Sequence, residues 1–149
     1  GRLFAYVGVV LVLVQGGLIG RLVRRWGEVR VARLGLFGLA VGLGLMPQVA
    51  VGAWPMLLAL MTLLGAGQGM TSPSLGSLLS RSVPPHRQGA TLGVSQSLSA
   101  LARVLGPQAA GLLYDRGGAD WPFWAGATVM GAALAVALAA LRPAVLRAS

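Results

Sequence analysis

Apolar residues in this chain come in long blocks, each closed by a short cluster of arginine, glycine or proline. The blocks predict five helices, over residues 3–23, 30–49, 55–80, 89–114 and 122–141. A bilayer crossing needs ~20 apolar residues, and each block supplies about that many or more. From residue 34 to residue 80 no formal charge occurs. A single helix of that length would be about 70 Å long, so the run must hold two, with the break between Met46-Pro47 and Trp54-Pro55. A second charge-free run covers residues 121–141. Lipid cannot satisfy a backbone N–H or C=O, so only helices and closed barrels cross it. The blocks are near-continuously apolar and too long for barrel strands, whose residues alternate. The expected fold class is all-α, a polytopic transmembrane helical bundle of about five spans.

The block ends carry helix punctuation. Asp120-Trp121-Pro122 offers a capping acid and an early proline before the fifth span, and Trp54-Pro55 opens the third. Trp26, Trp54, Trp121 and Trp124 all fall at span ends, where an interfacial aromatic belt belongs.

Composition sharpens this picture. The 149 residues are 56% hydrophobic and 10% charged, and the mean hydropathy is +0.77. A soluble domain carries nearer ~25% charge, and disorder requires low hydrophobicity. With no cysteine, one histidine and three acids, no disulfide framework, thiolate metal site or His/carboxylate cluster is expected. No nucleophile–base pair or paired-carboxylate site is available, so an enzyme is not expected, nor a cofactor.

The net charge is +9, and all twelve basic residues are arginine. Arg21, Arg24, Arg25, Arg30, Arg33, Arg81, Arg87, Arg142 and Arg147 fall on one side of the predicted spans, Arg2 and Arg116 on the other. The positive-inside rule puts the first group in the cytoplasm. Residue 1 is then outside and the C-terminus cytoplasmic. A nucleic-acid face would not be cut into three short loops by apolar spans, so no nucleic-acid partner is expected. Five spans beginning outside, with Gly1 in place of a start methionine, predict further helices upstream. Many arginines, alanines and glycines and no lysine point to a GC-rich bacterial genome, hence to the inner (plasma) membrane.

The loop after the first span reads Gly20-Arg21-Leu22-Val23-Arg24-Arg25-Trp26-Gly27-Glu28-Val29-Arg30. It resembles the second copy of the signature loop of the major facilitator superfamily; Gly20, Arg25 and Gly27 match, while Arg24 stands where the first copy has an acid. The segments Gly65-Ala66-Gly67-Gln68-Gly69, Ser72-Pro73, Val83 to Gly89, Arg103-Val104-Leu105-Gly106-Pro107 and Gly111 to Asp115 are similar to helices ten and eleven of its drug:proton antiporter branch. The resemblance covers almost the whole chain. It implies that the five spans are helices eight to twelve of a twelve-helix carrier. Residues 1–149 would then be a partial C-terminal six-helix bundle that lacks its first helix and the whole N-terminal bundle. Tetracycline exporters of that branch carry an acid in helix nine at the position of Leu39, so tetracycline is not named as substrate.

The loop of Gly20, Arg24, Arg25, Gly27, Glu28 and Arg30 is a candidate cytoplasmic gate. Its glycines bracket a sharp turn, Glu28 meets the positive end of the second helix, and Arg24 and Arg25 are close enough in sequence to pair with it. The plain alternative is a set of topology-setting arginines with a surface ion pair. Arg103 is the one charge inside a span and should face a cavity or a partner; Gln96, seven residues earlier, shares its face. Arg103 lines the pathway or else bonds carbonyls freed around Pro107. Gln68 and Gln15 are further pathway candidates at span depth, with Thr71 and Gln108. Gly106, Pro107 and Pro73 are candidate hinges, since proline breaks the helical ladder. The glycines at 65, 67 and 69 serve close helix packing, as do those of Gly89-x-x-x-Gly93-x-x-x-Ser97. His86 lies in a loop, where a coupling role is not expected.

The expected function is alternating-access transport, with a lipid bilayer, a small-molecule substrate, the missing N-terminal helices and protons as partners. The resemblance implies proton-coupled efflux of a hydrophobic, drug-like compound. None of the three acids lies within a span, so a titrating carboxylate must come from elsewhere. The alternative is a non-transporting five-span membrane subunit or assembly factor.

Overall fold

The computed structural model describes residues 19–50 and 52–140, with Ala5, Tyr6, Gly8, Val9, Val12 and Gly17 before them. From residue 19 onward, the described residues form five successive helices, α1 (Ile19–Trp26), α2 (Glu28–Leu45), α3 (Trp54–Arg81), α4 (Pro85–Gly117) and α5 (Trp121–Ala140), with a 3-10 turn at Met46–Gln48. No strand occurs among the described residues. The predicted spans 30–49, 55–80, 89–114 and 122–141 correspond to α2 to α5, with α3 and α4 running past the predicted ends. Most of the predicted first span, and Gln15, Arg2, Arg142 and Arg147, lie outside the described residues.

The breaks have identifiable causes. Gly27 takes φ +80° and ψ 155°, a conformation essentially reserved for glycine, and the chain turns there in one residue. Gly20 stands inside α1 with open space about it, so the bend expected from two glycines is made by one. Pro47 sits in the 3-10 turn and Pro55 in the first turn of α3. Gly118, at φ +89°, ends α4, its N–H donating to the Tyr114 carbonyl oxygen at 2.8 Å. At the start of α5 the backbone carbonyl of Asp120 accepts from the N–H groups of Phe123 and Trp124, both at 3.1 Å; the carboxylate expected to cap this helix makes no hydrogen bond among the described residues.

α2 is the centre of the assembly, packed antiparallel against α3 on one side and α5 on the other. Its buried face is Val31, Ala32, Gly35, Leu36, Gly38, Leu39 and Gly42, small residues alternating with large, the composition that lets apolar helices approach closely. A methyl group on Gly35 would strike the Thr71 hydroxyl and stand 2.8 Å from the Gly67 carbonyl oxygen. One on Gly67 would stand 2.9 Å from the Gly35 carbonyl oxygen. The two helices therefore meet backbone to backbone, and Gly67 does the packing expected of it. The buried Thr71 hydroxyl donates to the Gly67 carbonyl at 2.8 Å, so the seam holds no orphan at that point. On the other side Leu43 covers Gly126, Ala127 reaches Gly44, and an Arg33 Nη2 donates to the Ala137 carbonyl oxygen at 3.2 Å. That bond satisfies a carbonyl in the last turn of α5 with a cation, the charge that helix end favours.

α4 differs from the rest. It has 33 residues and buries none of them. Gly89 and Gly93, expected to serve close helix contact, have nothing within 4 Å. Glu28–Gln48 and Trp121–Ala140 are long and apolar enough to cross a membrane, and the most apolar window of the latter is only 6% buried. The core helix of a soluble protein would be covered; an apolar helix this bare needs lipid or another protein beside it.

Candidate functional site

The candidate gate loop lies between α1 and α2, and its Glu28 reaches the end of α3. Glu28 opens α2, and the Ser77 hydroxyl of α3 donates to its Oε1 at 2.7 Å. Arg81 Nη2 approaches the same oxygen at 3.4 Å, with the arginine side chain 75% exposed and the glutamate 15%. Glu28 is thus bound to the last turn of α3, not to the Arg24 and Arg25 of its own loop as the sequence spacing suggests. Arg24 turns back along α1, its Nε donating to the Gly20 carbonyl oxygen at 3.1 Å. Arg25 and Arg30 are exposed and make no hydrogen bond or ion pair among the described residues. Only the arginine side of this bridge is solvated, so the ion pair itself adds about 0–1 kcal/mol, while the charge-assisted bond from Ser77 to the largely covered carboxylate is the stronger tie between α2 and α3.

The pathway candidates do not converge. Arg103 and Gln96 are exposed on α4. An open groove of about 630 Å³ runs between the end of α3 and α4, lined by Leu79, Thr91, Val94, Ser95, Leu98, Ser99 and Ala102. At 100° per residue Arg103 and Gln96 point about a third of a turn away from it. Arg103 makes no hydrogen bond or ion pair among the described residues, so it does not bond carbonyls around Pro107. Gln68 is exposed on α3 and donates to the Ser72 hydroxyl at 3.2 Å, beside the exposed Pro73. Pro73 and Pro107 both lie inside their helices; Pro107 deprives the Arg103 carbonyl of its helical donor, and the adjacent Gly106 has open space about it.

The structure adds residues that the sequence did not single out. The Tyr6 and Thr62 hydroxyls lie 2.7 Å apart, joining the start of the first span to α3, and Thr62 also donates to the Leu58 carbonyl at 2.7 Å. Ser77 and Arg81 complete the Glu28 cluster. A polar residue in an apolar block was the available signal for Tyr6 and Thr62.

Residues 3–148 match the family model described as Major Facilitator Superfamily. An uncharacterized MFS-type transporter of Mycobacterium tuberculosis is 36% identical over 108 residues, which are 70% of this chain and 18% of the relative. The class C tetracycline resistance protein of Escherichia coli is 32% identical over 143 residues, 95% of this chain and 35% of the relative. The class B protein of Escherichia coli is 27% identical over 126 residues, 83% and 30% of the two chains. The chain thus spans about a third or less of the length of these curated relatives. No solved structure matches it.

Proposed function

The chain belongs to the major facilitator superfamily, and from that premise we propose that it supplies the C-terminal helices, eight to twelve, of a proton-coupled exporter of hydrophobic, drug-like compounds. The observation that carries the reading is the match along residues 3–148 together with the tetracycline resistance proteins among the relatives. The protein is integral to the membrane, as members of this family are, and we place its arginine-rich end in the cytoplasm. Two bundles rock about a central site in such a carrier. The Glu28–Arg81 pair suits a latch that closes and opens within a transport cycle, since its arginine already stands in solvent and leaves without a new desolvation cost. Arg103 is the intramembrane charge and, by its cost in lipid, faces the substrate path or the other bundle. The three acids of this chain lie at helix ends or in loops, so the proton-binding carboxylate belongs to helices outside it. Tetracycline itself is not assigned: Leu39, where the resemblance calls for an acid, is buried and apolar, packed against Gly67.

The test is efflux from a pump-deficient host expressing the protein with all the helices its reading frame encodes. Hydrophobic cationic dyes are extruded, a protonophore stops it, and Arg103→Ala removes it at unchanged expression. Dye accumulation equal to that of the empty host refutes transport of this class; unchanged efflux by Arg103→Ala refutes the role given to that residue.

A further inference from the structure

A cleft of about 420 Å³ opens where α1 meets α2, lined by Trp26, Arg30, Arg33 and Leu34. We infer that it holds the headgroup of an anionic glycerophospholipid. Two arginines line it together with Trp26 and Leu34, which are 43% and 45% exposed. An amphiphile with an anionic head and an adjoining apolar part uses all four; inorganic phosphate would use the arginines alone. Basic pockets between helices at the cytoplasmic end of a membrane protein take acidic headgroups in this way, and a tryptophan at that depth sits at the headgroup level.

The surroundings favour the anion. Glu28, the one acid in this part of the chain, is already held by Ser77 and Arg81, so it does not neutralise Arg30. Arg33 also lines the cleft, and its bond to the Ala137 carbonyl holds its side chain in place between α2 and the end of α5; the anion's main partner is therefore Arg30. Arg21, Arg24 and Arg25 of α1 add to the same positive field. The inference takes from the proposed function only that this end lies at a membrane surface. Lipid binding is measured without transport, so loss of efflux and loss of lipid are separate outcomes.

The test is native mass spectrometry of the whole detergent-purified protein, titrated with phosphatidylglycerol and with phosphatidylcholine of the same acyl chains. Phosphatidylglycerol is expected to bind more tightly, and Arg30→Gln to weaken it by about fivefold without affecting phosphatidylcholine. Arg116→Gln, at the opposite end of α4, is expected to leave both unchanged. Equal affinity for the two lipids overturns the inference, as does an equal loss in Arg116→Gln, which would mean diffuse attraction. Displacement by inorganic phosphate at the lipid's own concentration overturns the lipid as occupant. A salt titration of the unsubstituted protein covers the case of a misfolded variant: the preference for phosphatidylglycerol must fall as salt rises, and a salt-independent preference overturns the role of the arginines.

Discussion

Replacing Gly67 with alanine tests whether α2 and α3 are held together through their backbones. The added methyl would stand 2.9 Å from the Gly35 carbonyl oxygen, 3.0 Å from Leu39 Cγ and 3.2 Å from the Leu39 backbone nitrogen. Two of these atoms are main chain, and α2 is packed against α5 on its other side, so relief requires the helices to part. Overpacking of this kind costs about 1–3 kcal/mol. Against it, alanine gains about 0.5–1 kcal/mol over glycine in a helix. The expected net loss is therefore about 0–2.5 kcal/mol. Gly76 provides the control, since it lies on the same helix with nothing within 4 Å. Gly76→Ala keeps the helical gain without the collision, and the difference between the two variants isolates the overpacking, about 1–3 kcal/mol. The measurement is reversible unfolding of the purified protein in mixed micelles, followed by circular dichroism. Equal stability of the two variants refutes the backbone-to-backbone seam.

Glu28→Gln removes the bridge to Arg81 and the charge from the bond with Ser77. Stability is expected to fall by no more than about 3 kcal/mol, the bound set by the charge-assisted bond from Ser77, while efflux rate changes and is partly restored by Glu28→Arg combined with Arg81→Glu; efflux unaffected by either variant removes the latch. The chain contains no cysteine, so single cysteines placed in it report topology without background from its own residues. Ser82→Cys is expected to react with an impermeant maleimide only from the cytoplasmic side and Asp120→Cys only from outside. Labelling of both from one side refutes the arrangement of α4.

Helix positions were legible because the signal for them is local. Uncharged stretches bounded by Arg33, Arg81 and Trp121 needed no knowledge of neighbours, and Pro47, Pro55 and Gly118 mark ends through the backbone chemistry of single residues. Contacts were less legible. Glu28 lies three and four residues from Arg25 and Arg24, yet its partner is Arg81, brought near by the antiparallel packing of two helices whose register is set at Gly35 and Gly67. Nothing in sequence spacing reports that register. The Gly65–Gly69 segment and the Gly89–Ser97 stripe look alike as strings of small residues; Gly67 is pressed against α2, while Gly89 and Gly93 face open space. The two differ only in what lies opposite. Arg103 was legible as an anomaly, because a lone charge in lipid is costly wherever it points, but its surroundings were not.

The uneven packing has a mechanical consequence. α2, α3 and α5 are locked by main-chain proximity, a buried hydroxyl and an arginine that reaches from one helix to the carbonyl end of another, so they respond to a push as one block. α4 gives up no interior when it shifts, having none of its residues in the core. A force applied to α4 is therefore absorbed by sliding, whereas the same force on α3 is passed directly to α2 and on to α5. Within this segment the stiff lever and the compliant member are different helices.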